Sequence, residues 1–413
     1  MKSPGYLYRL FHQFVLLWQN PWAAALLSFL VYSLIVIQYR PLVGTSNYPY
    51  FNLLADAFLH GQLNLRLVPV DTHDLVFFQG NYYLYWPPFP AILLLPFIAI
   101  WGTSFSDVLF TLVLGSLNVG LMAVLIKWAV KRQLLRLRPE QCGLLVLFFA
   151  FGTAYFTLVP LASVWFTSQI VSVTCLILAY LSVIALDGWK AFFFCGLAIA
   201  VAAATRNSLF LAGLWPAYYL LSRYGSLSWR KLLVYGLTGL IPLVVVGGFL
   251  AIYNIVRFGS VTEVGITFHH MAPLFRADFE RYGYFSTHYI PKNLYYQWIA
   301  YPFPVREDTL MGGSLFLLSP VYFSIFWVFK NRQQIRNVIV LMITILLVYI
   351  PIVLLMGTGW IQFGPRYTVD FIVPLFLLTG LGIERWSDKV VGIFVFLSFI
   401  QYLAGTLILI QGL

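Results

Sequence analysis

The chain has 413 residues, of which 61% are hydrophobic and 9% charged, with a net charge of +11. A soluble domain carries roughly 25% charge, so a water-exposed globule is excluded and a polytopic membrane protein is indicated. Cysteine chemistry is excluded as well: Cys142, Cys175 and Cys195 all fall inside apolar runs, where a thiol behaves as a small hydrophobe.

A spanning helix needs about 20 mainly apolar residues. In chain order the candidates are 22–38, 107–129, 141–156, 167–186, 191–205, 208–222, 232–254, 313–329, 338–357, 368–383 and 390–411. The first reads as an uncleaved signal anchor, because no small-residue cleavage motif follows it. The expected fold class is therefore an all-α polytopic membrane protein with about eleven transmembrane helices, forming a single membrane domain over 1–413.

With a cytoplasmic N-terminus, the segments on that side hold 16 Lys+Arg and 4 Asp+Glu, counting Lys127 at a helix end. The opposite side, including the helix-rim residues Asp107, Arg366 and Asp370, holds 8 basic and 10 acidic residues. This is the distribution of the positive-inside rule. It assigns the basic run "VKRQLLRLRP" to orientation beside anionic lipids, and a nucleic-acid partner is not expected. Two large extracytoplasmic loops result, 39–106 and 255–312, with a short one at 357–367. Five of the six histidines and ten of the fourteen acids lie on that face.

The stretch "GNYYLYWPPFPAILLLPFIAIWG" at 80–102 is apolar enough to mimic a crossing, yet it holds four prolines. If it spanned, the strongest basic run would move to the outside. It is therefore expected to be an interfacial or re-entrant helix on the outer face. The next crossing begins at "SFSD", where Ser104 and Asp107 form an expected capping box. A helix ahead of it, "YFNLLADAFLHGQLNL", is expected to stop at Gly61.

A first helix, then "LADAFLHGQL", then "GNYYLYWPPFPAILLLPF", with "AAATRNSLFLAGLWP" at 202–216 and "FGPRYTVDFIVPLFLL" at 363–378, resembles the C-type (GT-C) membrane glycosyltransferases. The branch most similar is that of the protein O-mannosyltransferases and lipid A aminoarabinose transferases. The resemblance implies sugar transfer from a polyprenyl-phosphate-linked donor to a lipid, glycan or protein acceptor. It further implies inversion at the anomeric carbon, and an active site on the extracytoplasmic side of a bacterial inner membrane. Two departures stand out. Asn47 occupies the place of the usual catalytic Asp, followed by Tyr48 in place of a Glu, and Trp86 replaces the cation before the Pro-Pro pair.

Such chemistry needs a carboxylate to take the acceptor's proton and cationic groups where charge grows on the leaving phosphate. Asp74 and Asp56 are the candidate bases. Asp56 lies one helical turn before His60, so the two share a face. Asp74 stands ahead of the apolar stretch with Asp71 and His73, a cluster that could also hold a divalent cation; no other cofactor is expected. Arg366, with Tyr367 beside it, is the candidate phosphate contact, its alternative being a salt bridge to Asp370. Arg206, His269, His270, Tyr85 and Trp86 complete the candidate binding set. The competing readings are a transporter or flippase of a lipid-linked sugar, and a catalytically silent glycolipid-binding relative, which the Asn47 substitution keeps open.

Overall fold

The computed structural model describes residues 6–269, 273–306, 309–330, 332–357, 359 and 361–412. The chain begins with helix α1 (Tyr6–Leu17), which meets α2 (Pro21–Val36) at a 97° bend. The break is local chemistry: Asn20 caps α2, its Oδ1 accepting from the Trp22 and Ala23 amides, and Pro21 occupies the first helical position. Next come α3 (Tyr50–Leu59), the hairpin β1 (Val76–Phe78) and β2 (Asn81–Tyr83), and α4 (Phe89–Trp101). The bundle proper contains α5 (Asp107–Lys131), α6 (Pro139–Phe151), α7 (Ala154–Leu161), α8 (Val164–Ala185), α9 (Trp189–Ala203), α10 (Leu214–Tyr224) and α11 (Trp229–Phe258). The cap carries α12 (Pro273–Tyr282) and α13 (Ile290–Leu294); β3 (Met311–Gly312) and α14 (Leu315–Leu318) follow. The chain closes with α15 (Ile335–Leu354), β4 (Gln362–Phe363), α16 (Ile372–Ile383) and α17 (Asp388–Gln411).

Among the described residues six helices are long and apolar enough to cross a membrane, or up to eight if the bent pairs α1–α2 and α6–α7 each count as one span. The expected segments 191–205, 208–222 and 313–329 do not reach that length as single helices. The first is the 15-residue α9; the second is a 3-10 turn at Asn207–Gly213 followed by α10; the third is α14 followed by the 3-10 segment Pro320–Lys330. The chain is an integral membrane protein of the mainly helical class. The all-α expectation is corrected only in the loops, where β1 and β2 pair antiparallel and β3 and β4 pair parallel.

α8 is the buried centre of the bundle, lying between α5 and α9. α11 packs on α9 where Gly196 meets Gly239, so closely that a Cβ on Gly196 would stand 1.9 Å from the Gly239 carbonyl oxygen. Small residues let helix backbones approach in this way, and packing of this kind holds helices together where lipid cancels the hydrophobic drive. The outer face of α11 is bare apolar surface, with Leu240, Val244, Val245 and Ile252 exposed.

Loops sort onto two ends. At one, Arg132 pairs with Asp187 at 3.2 Å, Arg223 pairs with the same carboxylate, and Arg138 pairs with Asp388 at 2.9 Å. The Arg136 amide donates to Glu384, its guanidinium to Gln333, and Arg385 donates to the Lys330 carbonyl. Described residues of 39–106, 255–312 and 357–367 meet at the other end around one large cavity.

The 80–102 stretch folds as a hairpin strand followed by α4, a helix of 13 residues. At 1.5 Å per residue α4 is about 20 Å long, short of a hydrocarbon core of about 30 Å. It starts at the Pro88 cap, contains Pro96 and ends at Gly102, whose φ of 67° few other residues adopt. α4 packs on α3 in a small core of its own, with Tyr50, Leu54, Leu84, Trp86, Leu94 and Ile98 buried together. The expected capping box is not formed. Ser106 caps α5 by accepting from the Leu109 amide, while the Asp107 carboxylate turns away to the Ser46 amide and hydroxyl at 2.7 and 2.6 Å.

Candidate active site

A cavity of about 660 Å³ opens at the end where the three loops converge. Its wall takes Asp74, Tyr85 and Trp86 from the first loop, His269 and Tyr284 from the cap, Arg206 from the α9–α10 break, and Arg366, Tyr367 and Asp370 from the entry to α16. One side is apolar, built from Ile266, Phe275, Phe285, Ile352, Leu355 and Met356.

Asp74 owes its position to a tight turn closed by the Leu75 amide on the Thr72 carbonyl at 3.1 Å. Its own φ is 63°, a left-handed conformation that short polar side chains tolerate better than most. The Trp165 indole donates to its Oδ2 at 2.8 Å. His269 Nε2 stands 3.2 Å from Oδ1, without the alignment of a hydrogen bond, and His73 Nε2 lies 3.6 Å from Oδ2. Burial alone would raise the carboxyl's pKa. The His269 and His73 imidazoles and the Trp165 donor outweigh it, so Asp74 titrates below the ordinary carboxylate range. A backbone bridge between Val76 and His269 fastens the cap to the hairpin directly behind this group.

Asp56 does not reach the cavity. It is buried in α3, gripped by Arg66 through two hydrogen bonds of 2.9 and 3.0 Å, while His60 Nδ1 engages the Asp56 backbone carbonyl at 2.8 Å. The expected neighbourhood of Asp56 and His60 is present, with His60 Nδ1 3.7 Å from Asp56 Oδ1, but the closer partner of the carboxylate is Arg66. Asp71 lines the cavity but is occupied, accepting from the Tyr48 hydroxyl at 3.0 Å and the His73 amide at 2.8 Å. Among the described residues no three His, Cys, Asp or Glu side chains converge as a metal site requires, so Asp71, His73 and Asp74 share a loop without a common focus.

The two arginines divide their roles. Arg206 donates to Asp370 Oδ2 through Nε and Nη2 at 3.0 and 2.8 Å, deep in the wall. That pairing takes the carboxylate one turn beyond Arg366, the partner its alternative reading required. Among the described residues Arg366 forms no ion pair, and its buried Nε has no hydrogen-bond partner. Its guanidinium rests 5.5 Å from the Phe166 ring centroid and 5.1 Å from that of Tyr367. Tyr85 stacks on Trp86 with ring centroids 3.8 Å apart, and His269 meets the Tyr85 ring edge-on at 4.9 Å. Burial pushes the Tyr85 and Tyr284 phenols up, so both act as neutral hydrogen-bonding groups. His270 lies outside the described residues.

Comparison with solved structures gives ArnT from Cupriavidus metallidurans bound to undecaprenyl phosphate, at 18% identity and a TM-score of 0.50 over 89% of this chain and 60% of that one. The same protein in its apo state aligns at 16% identity and 0.52, over 89% and 61%. The apo oligosaccharyltransferase of Archaeoglobus fulgidus aligns at 12% identity and 0.50, over 94% and 55%. The chain has the fold of these proteins. It spans less than two thirds of the length of each. No protein-family model matches the chain, and no curated protein matches it by sequence.

The shared fold agrees with the GT-C expectation and leaves the branch undecided. Several wall residues were not singled out in the sequence. Gln169, almost fully buried, donates from Nε2 to the Arg366 carbonyl at 3.0 Å, and among the described residues its Oε1 has no partner; a lone amide in a membrane helix was its signal. Trp165 carried no signal, since an indole at the start of a membrane helix is ordinary. Asn47 also lines the cavity, in the place where the resemblance sets an acid.

Proposed function

We propose that this chain is a membrane glycosyltransferase, moving a sugar from a polyprenyl-phosphate-linked donor to an acceptor at the extracytoplasmic face. The observation that carries the reading is one cavity, in an ArnT-like fold, holding the depressed carboxylate of Asp74 and the guanidinium of Arg366, which among the described residues forms no ion pair. The acceptor hydroxyl attacks the anomeric carbon while its proton passes to Asp74. The carbon–oxygen bond to phosphate breaks with its electron pair going to the phosphate, whose new charge Arg366 neutralises. One displacement inverts the anomeric centre. In this scheme Arg366 meets the charge that grows on the leaving phosphate, and no step is assigned to a divalent cation at Asp71, His73 and Asp74.

The sorting of loops onto two ends supports eleven passes between them, with α9, α10 and the 313–329 segment as short or broken crossings. α4 and the hairpin then lie at the outer interface of a bacterial inner membrane, with Tyr85, Trp86, Tyr367 and His269 around the sugar.

The test is release of undecaprenyl phosphate by the purified chain from a panel of undecaprenyl-phosphate sugars. Wild type should turn over at least one donor, and Asp74→Asn should be slower by about 10²- to 10⁴-fold. Undiminished turnover by Asp74→Asn overturns the base assignment. Asn47 in the wall favours a second reading, a silent glycolipid-binding protein, and tight binding of every donor without turnover would establish it.

A further inference from the structure

The cavity wall contains a second guanidinium that, among the described residues, no carboxylate bonds directly; Asp107 acts on it only through space. Arg40 follows α2 at the end where the cavity opens, and lines its wall. Its Nη2 donates to the Leu161 carbonyl at 2.7 Å and to the Tyr39 hydroxyl at 3.0 Å, and its plane lies over the Tyr39 ring at 4.6 Å. These contacts hold one edge of the fork. The buried Nε has no hydrogen-bond partner, and among the described residues Arg40 forms no ion pair. The acids of the wall are otherwise engaged: Asp370 by Arg206, Asp71 by Tyr48, and Asp74 by Trp165 and its two histidines.

Charge accounting gives this arginine a task. A sugar linked through a phosphodiester carries one negative charge, and the lipid phosphate that leaves carries up to two. Arg366 balances one of them. A guanidinium in the wall that is held only through Nη2, with its Nε left unpartnered, suits a phosphate oxygen, since its planar fork is already oriented and always charged. Lysine or arginine is absent ahead of the Pro87–Pro88 pair, where Trp86 is instead stacked on Tyr85.

We propose that Arg40 is a second phosphate-binding residue, gripping the donor phosphate together with Arg366. The inference rests on the reading of the cavity as a polyprenyl-phosphate site. It is tested by the affinity of the full chain in nanodiscs for undecaprenyl phosphate, with undecaprenol as the uncharged comparator. Arg40→Ala should weaken phosphate binding by about 10- to 100-fold and leave undecaprenol binding unchanged, with Arg40→Lys in between. Arg40→Gln, which keeps a donor for the Leu161 carbonyl, should lose the phosphate preference as Arg40→Ala does. Phosphate affinity at the wild-type level in both neutral variants, with Arg366→Ala impaired, overturns the role of Arg40 alone. Equal losses for phosphate and alcohol overturn it too, since they mark Arg40 as structural. Wild-type protein that binds both lipids alike overturns the polyprenyl-phosphate reading itself.

Discussion

Asp74 and Asp56 are both acids of the same loop, and the difference between them is their neighbours. Arg66 closes on Asp56 with two hydrogen bonds inside a small core, which leaves that carboxylate no open face. Asp74 is held by one indole and two imidazoles, none of which neutralises it permanently. His269 is the neighbour that most depresses its pKa, so its removal leaves burial opposed by less and the carboxyl titrates at higher pH. A base works only when ionised. The acid limb of the transfer rate is therefore expected below about pH 4 in wild type, and to move upward in His269→Ala. A pH–rate profile checks this, and a limb that stays in place or moves downward contradicts it.

At the scale of elements, the site depends on two junctions that bend helices away from ideal geometry. α9 ends at Ala203 and the chain passes through Arg206 into a 3-10 turn, while α16 is entered through another 3-10 turn at Arg366–Phe371. The Arg206–Asp370 pair clamps these breaks together, with Asp370 wholly buried. Breaking a buried pair by removing one partner costs about 3–5 kcal/mol, because a charge is left uncompensated. Asp370→Ala should therefore lower the melting temperature in detergent far more than a substitution on the lipid-facing side of α11, such as Val244→Ala. Equal melting temperatures for the two variants would show that the clamp contributes nothing. The 80–102 stretch belongs to this scale too. Its prolines and Gly102 confine it to a hairpin strand and 13 helical residues, and its apolar side chains are used against α3.

For the whole molecule, the basic loops meet at one end and the histidine- and acid-rich loops at the other. Reporters fused within 130–140 and 330–337 should be active only in the cytoplasm, and labels at exposed positions of 255–312 should react from outside intact cells. A label-accessible 130–140 would invert the molecule and move the cavity to the inner face. The cavity exists only at this scale, since it draws on loop residues more than 300 positions apart in the chain, from Arg40 to Asp370.

By itself the sequence determined the membrane class and the sorting of basic and acidic loops, and it marked 80–102 as too short and proline-rich for an ordinary span. These are sums over many residues, and transfer from water to lipid is nearly additive. It also marked Asp74, Arg366, Arg206 and His269 as groups that the wall then brings together. The capping residue of α5, the capture of Asp56 by Arg66, the pairing of Asp370 with Arg206 and the placement of Arg40, Trp165 and Gln169 were decided by the tertiary structure. A hydrogen bond or ion pair depends on differences of a few tenths of an ångström between residues far apart along the chain, and no local pattern encodes which of two nearby cations a carboxylate will choose.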